Sequence, residues 1–380
     1  PASQAADRGP ELRPDVVFVV DAAGQGDFIE LQAAIDAAPP GAMLLMRPGD
    51  YGLTPITVTR KSLRIEGDGA GTVRIQEPIQ IRGVSAAQEV SLGGLGFSEG
   101  FLVANCSGPV SFTSCTSLDN DLTAPVPAGT SFTQWVMCGS GEARHKIESS
   151  NAVSFVDCTL TGREGFRFFL DGTPGEHGLL VTDSTVALYG TTLRGGSGGP
   201  AGDGHIAYSG AGGDGLQASG TTTRVFSSRS TLFGGDPGEK LFGQVIFGCG
   251  GDAFRGLEGA ALESSGPDSI GLHIDPLARS GETPSYTLTG PPGADIYLLV
   301  ASGRSWREFD PSEGILHMNS GFQVIPLGTL PAGGVLSRPF PAPPAPWRGG
   351  FSSLELQGFA RTSDGQDRYS EPRTLQVTDS

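Results

Sequence analysis

The chain has 380 residues, among them 59 glycines and 28 prolines, and its 41 acidic and 25 basic side chains give a formal net charge of −16. Glycine stands at roughly twice its usual ~7% share, yet 37% hydrophobic residues and twenty phenylalanines supply a core. The absence of a strict third-residue glycine repeat excludes collagen. No run approaches the ~18 apolar residues of a membrane span, and no basic footprint exists for a nucleic acid.

In chain order, residues 1–15 form a polar N-terminal arm, suited to strand addition onto a neighbouring chain. The start at Pro1, without Met or signal peptide, reads as processed material from an exported protein. Val16–Val20 is a strand. Asp27 fits a helix N-cap with Glu30 as capping-box acid, and Phe28, Leu31 and Ile35 make one apolar stripe, which predicts a helix over about 27–38. Pro39-Pro40-Gly41 stops it, and Met43 to Tyr51 returns as strand and turn.

A loose repeat follows. Lys146-Ile-Glu-Ser-Ser-Asn-Ala-Val153-Ser-Phe155-Val-Asp-Cys158 aligns with Leu102-Val-Ala-Asn-Cys-Ser-Gly-Pro-Val110-Ser-Phe112-Thr-Ser-Cys115. Further copies centre on Val90, Val186 and Val225. Each unit is a strand, a small-polar corner and a second strand with apolar residues two apart. The unequal spacing between copies suits a parallel β-helix, whose coils stack at the ~4.8 Å strand spacing and carry loops of any length at a corner. Gly, Asn, Ser and Asp then serve as corner residues that accept left-handed backbone.

Gly24-Gln-Gly-Asp-Phe-Ile-Glu-Leu-Gln-Ala-Ala-Ile-Asp-Ala-Ala-Pro39 and Arg47-Pro-Gly-Asp-Tyr51, with the coils to about residue 275, resemble the pectin-lyase-like right-handed parallel β-helix superfamily. The resemblance implies an all-β chain: an N-terminal helix capping a right-handed parallel β-helix over 16–280. Short strands between Pro/Gly turns over 281–380 predict a small β-sandwich, and this stretch looks like a C-terminal module of secreted bacterial surface proteins.

The superfamily includes lyases, esterases and hydrolases acting on polysaccharides, as well as non-catalytic adhesins. Gln244-Val-Ile-Phe-Gly248 is similar to an esterase motif, but glutamine stands in place of the nucleophilic carboxylate. No diagnostic catalytic motif is present and no catalytic residue carries over. Insertions at 119–145, 161–177 and 194–214 are expected to leave one corner of successive coils and build one face. That face would carry Trp135, Arg144, His145, Arg163, Phe166, Arg167 and Tyr208. It would serve as a saccharide site or an assembly interface, or it would merely cover the flank. A competing alignment places an extra coil through residues 131–137. Asp119, Asp121, Asp203 and Asp214 are weak Ca²⁺ candidates, and their place in loop turns explains them without a metal; no other metal or cofactor is implied.

Among the five cysteines, Cys106, Cys115, Cys138, Cys158 and Cys249, the equivalent Cys115 and Cys158 should stack, as a thiol ladder or a disulfide. The pattern as a whole reads as a secreted, extracellular structural or surface protein, self-assembling (fibre or surface-layer type) or adhesive. It would associate through the arm or the insertion face and would not insert into membranes. The alternative is an enzyme on acidic polysaccharide. One segment stays unusual: 195–215, with ten glycines in twenty-one residues.

Overall fold

The computed structural model describes residues 16–52, 54–69, 71–118, 143–168, 171–201, 207–239, 245–246, 249–264, 270–274, 277–279, 282–302, 304–308, 315–318, 321–341, 351–363, 365 and 367–378. It is almost entirely β-structure, and its first two thirds are built on three long parallel sheets. From Ile56 onward the chain visits them in a fixed cycle. Ile56–Thr59 lies in the second sheet, Leu63–Gly67 in the first and Val73–Ile75 in the third, and Ile79–Arg82 is back in the second. Each circuit, or rung, thus adds one strand to every sheet, up to Thr231–Phe233, Phe254–Gly256 and Ala261–Ser264.

The register is the one the repeat implies. Val90, Val110, Val153, Val186 and Val225 stand in line on adjacent strands of the first sheet. Their alternate neighbours Leu92, Phe112, Phe155 and Leu188 also point into one core fed by all three sheets. Phe112 stacks between Phe101 at 4.5 Å and Phe155 at 4.9 Å between ring centroids. Each such pair adds about 0.5–1.5 kcal/mol beyond the ~1.5–3 kcal/mol of burying a large apolar side chain.

Two corners turn by left-handed residues. Arg60, Gly83, Asn105, Ser149, Asp183 and Gly220 occupy the turn from second to first sheet, all at positive φ. Gly94, Ser114, Asp157, Gly190 and Arg229 do the same between first and third. Before the last rung, each N–H there bonds a carbonyl of the next rung, as Ser149 does to Thr182 and Asp157 to Tyr189. The following residue makes a second ladder: Ser150 Oγ donates to the Glu148 carbonyl and accepts the N–H of Cys106. Cys115, Cys158, Thr191 and Ser230 hold the equivalent place at the other corner. Cys106, Cys115 and Cys158 are therefore buried free thiols standing where other rungs use hydroxyls, and of the two alternatives for Cys115 and Cys158 the ladder is the one found. Burial pushes the Cys115 thiol well up, with stacked Cys158 adding to it.

The helix is shorter than the capping signals suggested. It spans Leu31–Ala37, its N-cap is Glu30, and no side chain caps it. Asp27 instead accepts the Val19 N–H at 2.8 Å and so belongs to the preceding strand. Leu31, Ala34 and Ile35 pack into the core at the first rung. The arm at 1–15 lies outside the described residues.

Beyond residue 270 a three-stranded and a five-stranded sheet, antiparallel except for one strand pair, share a second core that includes Leu272, Leu288, Leu298 and Leu356. This region meets the outer face of the first sheet. Arg64 reaches Glu355 at 3.3 Å, and Arg373 bridges Asp157 at 2.6 Å and Glu371 at 3.0 Å. Tyr189 Oη and His317 Nε2 share a hydrogen bond at 2.9 Å, and burial raises the tyrosine's pKa and keeps its hydroxyl protonated.

Candidate functional site

The third corner, from third to second sheet, divides the molecule. In early rungs it is a brief connection, 76–78 or 98–100. Later it lengthens to 118–144, 162–178, 195–215 and 234–253. The boundaries place the three expected insertions at one corner and reveal another, 234–253, that the repeat alignment had passed over.

The last three insertions are paired extended arms, not loops in the ordinary sense. Outgoing segments 162–166, 195–201 and 234–239 lie parallel. Gly162 and Gly165 N–H donate to Arg194 and Ser197 carbonyls, and Gly195, Gly198 and Ala201 donate to Phe233, Asp236 and Glu239. Returning segments 172–178, 209–215 and 249–252 form a second row, with Gly175 and Gly178 bonding Ala211 and Asp214, and Gly212 and Gly215 bonding Cys249 and Asp252. Between rows the bonding is antiparallel: Gly196 and Gly199 donate to Glu176 and Thr173, Gly210 and Gly213 to Gly199 and Gly196, Gly235 and Gly238 to Gly213 and Gly210. Donors to one neighbour recur every third residue, the period of a polyproline-II-type chain.

Glycine is required here for closeness. A Cβ on Gly199, Gly210, Gly213, Gly235 or Gly238 would fall on a backbone carbonyl of the facing segment. Pro174, Pro200 and Pro237, which have no N–H, sit between the donating positions. Asp214, 1% exposed, caps the last returning segment: its Oδ1 accepts the Asp252 N–H at 2.8 Å and lies 3.2 Å from Arg255. The Asp214 N–H in turn donates to His177 Nδ1 at 2.8 Å, which puts that ring's proton on Nε2.

The expected binding residues separate on this frame. Arg167 is exposed where 167–168 and 171–172 pair in a short antiparallel ladder at the tip of the first arm. Arg163 is one-third exposed and held by Glu99 at 2.6 Å, and Phe166 is half-buried. Arg144 and His145 are corrections. The Arg144 side chain is buried, donating to the carbonyls of Ser98 at 2.8 Å and Leu118 at 3.3 Å. His145 begins the strand His145–Glu148 and points inward, fully buried, with Nε2 2.7 Å from Ser117 Oγ and its ring 4.7 Å from Phe101. Burial, then the Arg144 charge, drives its pKa well below the usual histidine value. Tyr208 is placed by its backbone alone, in a parallel pair with Ile246 between second and third arms. Trp135, Asp119, Asp121, Asp203, Cys138, residues 131–137 and Gln244 lie outside the described residues. Asp214 is already engaged by protein groups, and no cluster of three or more His, Cys, Asp or Glu that could hold a metal occurs among the described residues.

The third arm had a signal: Gly-Gly pairs at 195, 198, 212, 234 and 250 mark every segment of the later bundle. No protein-family model matches the chain, and no curated protein matches it.

Proposed function

We propose that the chain is an exported surface subunit of adhesive or self-assembling kind: a right-handed parallel β-helix that holds binding loops clear of its flank on a stiff glycine bundle. The cyclic order of the three sheets supports the β-helix reading, and the disulfide at Cys249 supports an oxidising compartment.

The observation that carries the display role is the cross-bonding of successive arms. An arm such as 195–201, at ~3.1 Å per residue, reaches roughly 20 Å from its strand. A lone glycine segment of that length would be a flexible tether. Here backbone bonds to neighbours on two or three sides fix it, so the arms form a rigid scaffold of the kind from which binding loops are presented.

The test replaces 162–178, 195–215 and 234–253 with the short connection Ser98–Gly100 already used at that corner. Retention on immobilised polysaccharides and on whole cells is then compared with that of the full chain. The reading expects binding to vanish while the sheet spectrum and unfolding transition of the remainder persist. Equal binding without the arms, or no binding by the full chain, sinks it.

A further inference from the structure

One buried carboxylate in the arm bundle is only half satisfied. Asp214, in the second returning segment, lies beside His177, in the first, and their side chains are 1% and 2% exposed. Asp214 Oδ1 is engaged by the Asp252 N–H at 2.8 Å and by Arg255 at 3.2 Å. Its Oδ2 is buried and has no hydrogen-bond donor among the described residues. His177 Nδ1 stands 3.3 Å from that oxygen, but as the acceptor of the Asp214 N–H it has no proton to give. A buried carboxylate oxygen left without a donor is costly and calls for an explanation.

We infer that His177 and Asp214 form a proton-operated joint between the first two arms. With the ring neutral, Nδ1 accepts the Asp214 N–H and Oδ2 goes without a donor. When a proton from solvent binds Nδ1, both ring nitrogens become donors. The ring then gives a charge-assisted hydrogen bond to Oδ2 and releases the Asp214 N–H. Each protonation state satisfies one Asp214 group at the expense of the other, which makes the pair a two-state element. Among the described groups, Glu176 next in the chain and Asp252 beyond Asp214 favour the proton, while Arg255 and Arg144 oppose it. The Asp214 carboxylate prevails because each arginine is shared, Arg255 with Asp252 at 3.1 Å and Arg144 with Glu176 at 4.0 Å. The surrounding frame is unaffected, since the Gly178 N–H on the Asp214 carbonyl and the Gly215 N–H on the Asp252 carbonyl do not involve the ring. The joint does not depend on what the arm tips bind.

Ring-nitrogen and amide NMR of the full chain between about pH 8 and pH 5 tests this. His177 should pass from the Nε2-protonated ring to the doubly protonated one, and the Asp214 amide signal should move with the same midpoint. His145, whose Nε2 faces the Ser117 hydroxyl and not a carboxylate, should stay neutral, and the Asp252 amide should stay in place. In His177→Gln, whose side-chain carbonyl can still accept the N–H, the Asp214 amide should lose its pH dependence. In Asp214→Asn the ring should stay neutral down to pH 5. A His177 ring neutral throughout in wild type, a titration that leaves the Asp214 amide unmoved, or an unchanged titration in Asp214→Asn would overturn the proposal. So would a movement shared by His145 and Asp252, which would report a general loosening. If a variant unfolds, the wild-type midpoints of ring and amide decide alone.

Discussion

Early and late rungs share one scaffold and differ at one corner. The strands Val73–Ile75 and Gly96–Phe97 hand over to the second sheet through a few residues, whereas Thr161, Arg194 and Phe233 each launch an arm that returns many residues later. Stacking and core are the same on both sides of the change: Val90 to Val225 stay in line and the buried column runs through. The arms are therefore additions to a scaffold whose strand register and core continue unchanged. Glycine also has two jobs. In early rungs it turns the chain, as at Gly83 and Gly94 with positive φ; in the arms it lets backbones touch.

The sharpest way to break that distinction is one methyl group. Gly210→Ala would set a Cβ against the Thr173 carbonyl and the Gly199 N–H, both backbone and unable to step aside. Overpacking and a lost buried hydrogen bond together should cost about 3 kcal/mol. Gly71→Ala in the early region meets nothing within 4 Å and should stay within about 0.5 kcal/mol of wild type. Urea titration measures both. Equal costs would mean the arms are not close-packed.

How far this was legible follows from where each signal comes from. Period-two burial repeats with every rung, so Val110, Val153 and Val186 aligned from sequence alone. The arm pattern survives for only two or three repeats before a tip interrupts it, so Gly195 to Gly215 read as turns. Their requirement for glycine is imposed by segments far away in sequence, such as the Arg163 carbonyl on Gly196. Asp214 looked like a ligand because its true partner, Asp252 N–H, arrives a rung later. His145 falls in the 119–145 insertion because the aligned repeat begins only at Lys146. The strand in fact starts at His145, and alternation then turns its ring inward.

That histidine gives the second prediction. It follows Ile56, Ile79 and Phe101 in one interior column, the first polar member after the change of corner. Burial depresses its pKa, so the folded chain keeps it neutral while the unfolded chain takes a proton below about 6.5. The unfolded state then binds more protons. Stability from this group is intact above that pH and falls as pH drops through it, by at most about 1.4 kcal/mol per pH unit. His145→Leu should flatten the stability profile between about pH 7 and pH 5 relative to wild type. Parallel profiles would place the ring in water.

A smaller effect sits on the corner ladder common to both halves. Cys158→Thr restores the group that Thr191 supplies one rung later and should be near neutral. Cys158→Val leaves the Val156 carbonyl without its side-chain donor and should cost about 1 kcal/mol. Thiol labelling in denaturant, mapped by residue, should find Cys106, Cys115 and Cys158 reactive before reduction and Cys249 reactive only after it.

The smallest expected change is a gain. Ser149 holds φ at 47°, and its exposed side chain makes no contact that accounts for a serine there. A left-handed non-glycine residue costs about 1–2 kcal/mol, and glycine returns about 0.5–1 kcal/mol of that as unfolded-state entropy. Ser149→Gly should therefore stabilise by about 0.5 kcal/mol. Asp157 has nearly the same backbone, at φ 50°, but its carboxylate holds Arg373 at 2.6 Å. Asp157→Gly relieves the same strain and strips the buried guanidinium of one partner, so its net effect should be a loss. Opposite signs at two corners of equal geometry would separate backbone strain from the contact that fastens the C-terminal region to the first sheet. Equal signs would mean that the Asp157–Arg373 pair contributes nothing to that attachment.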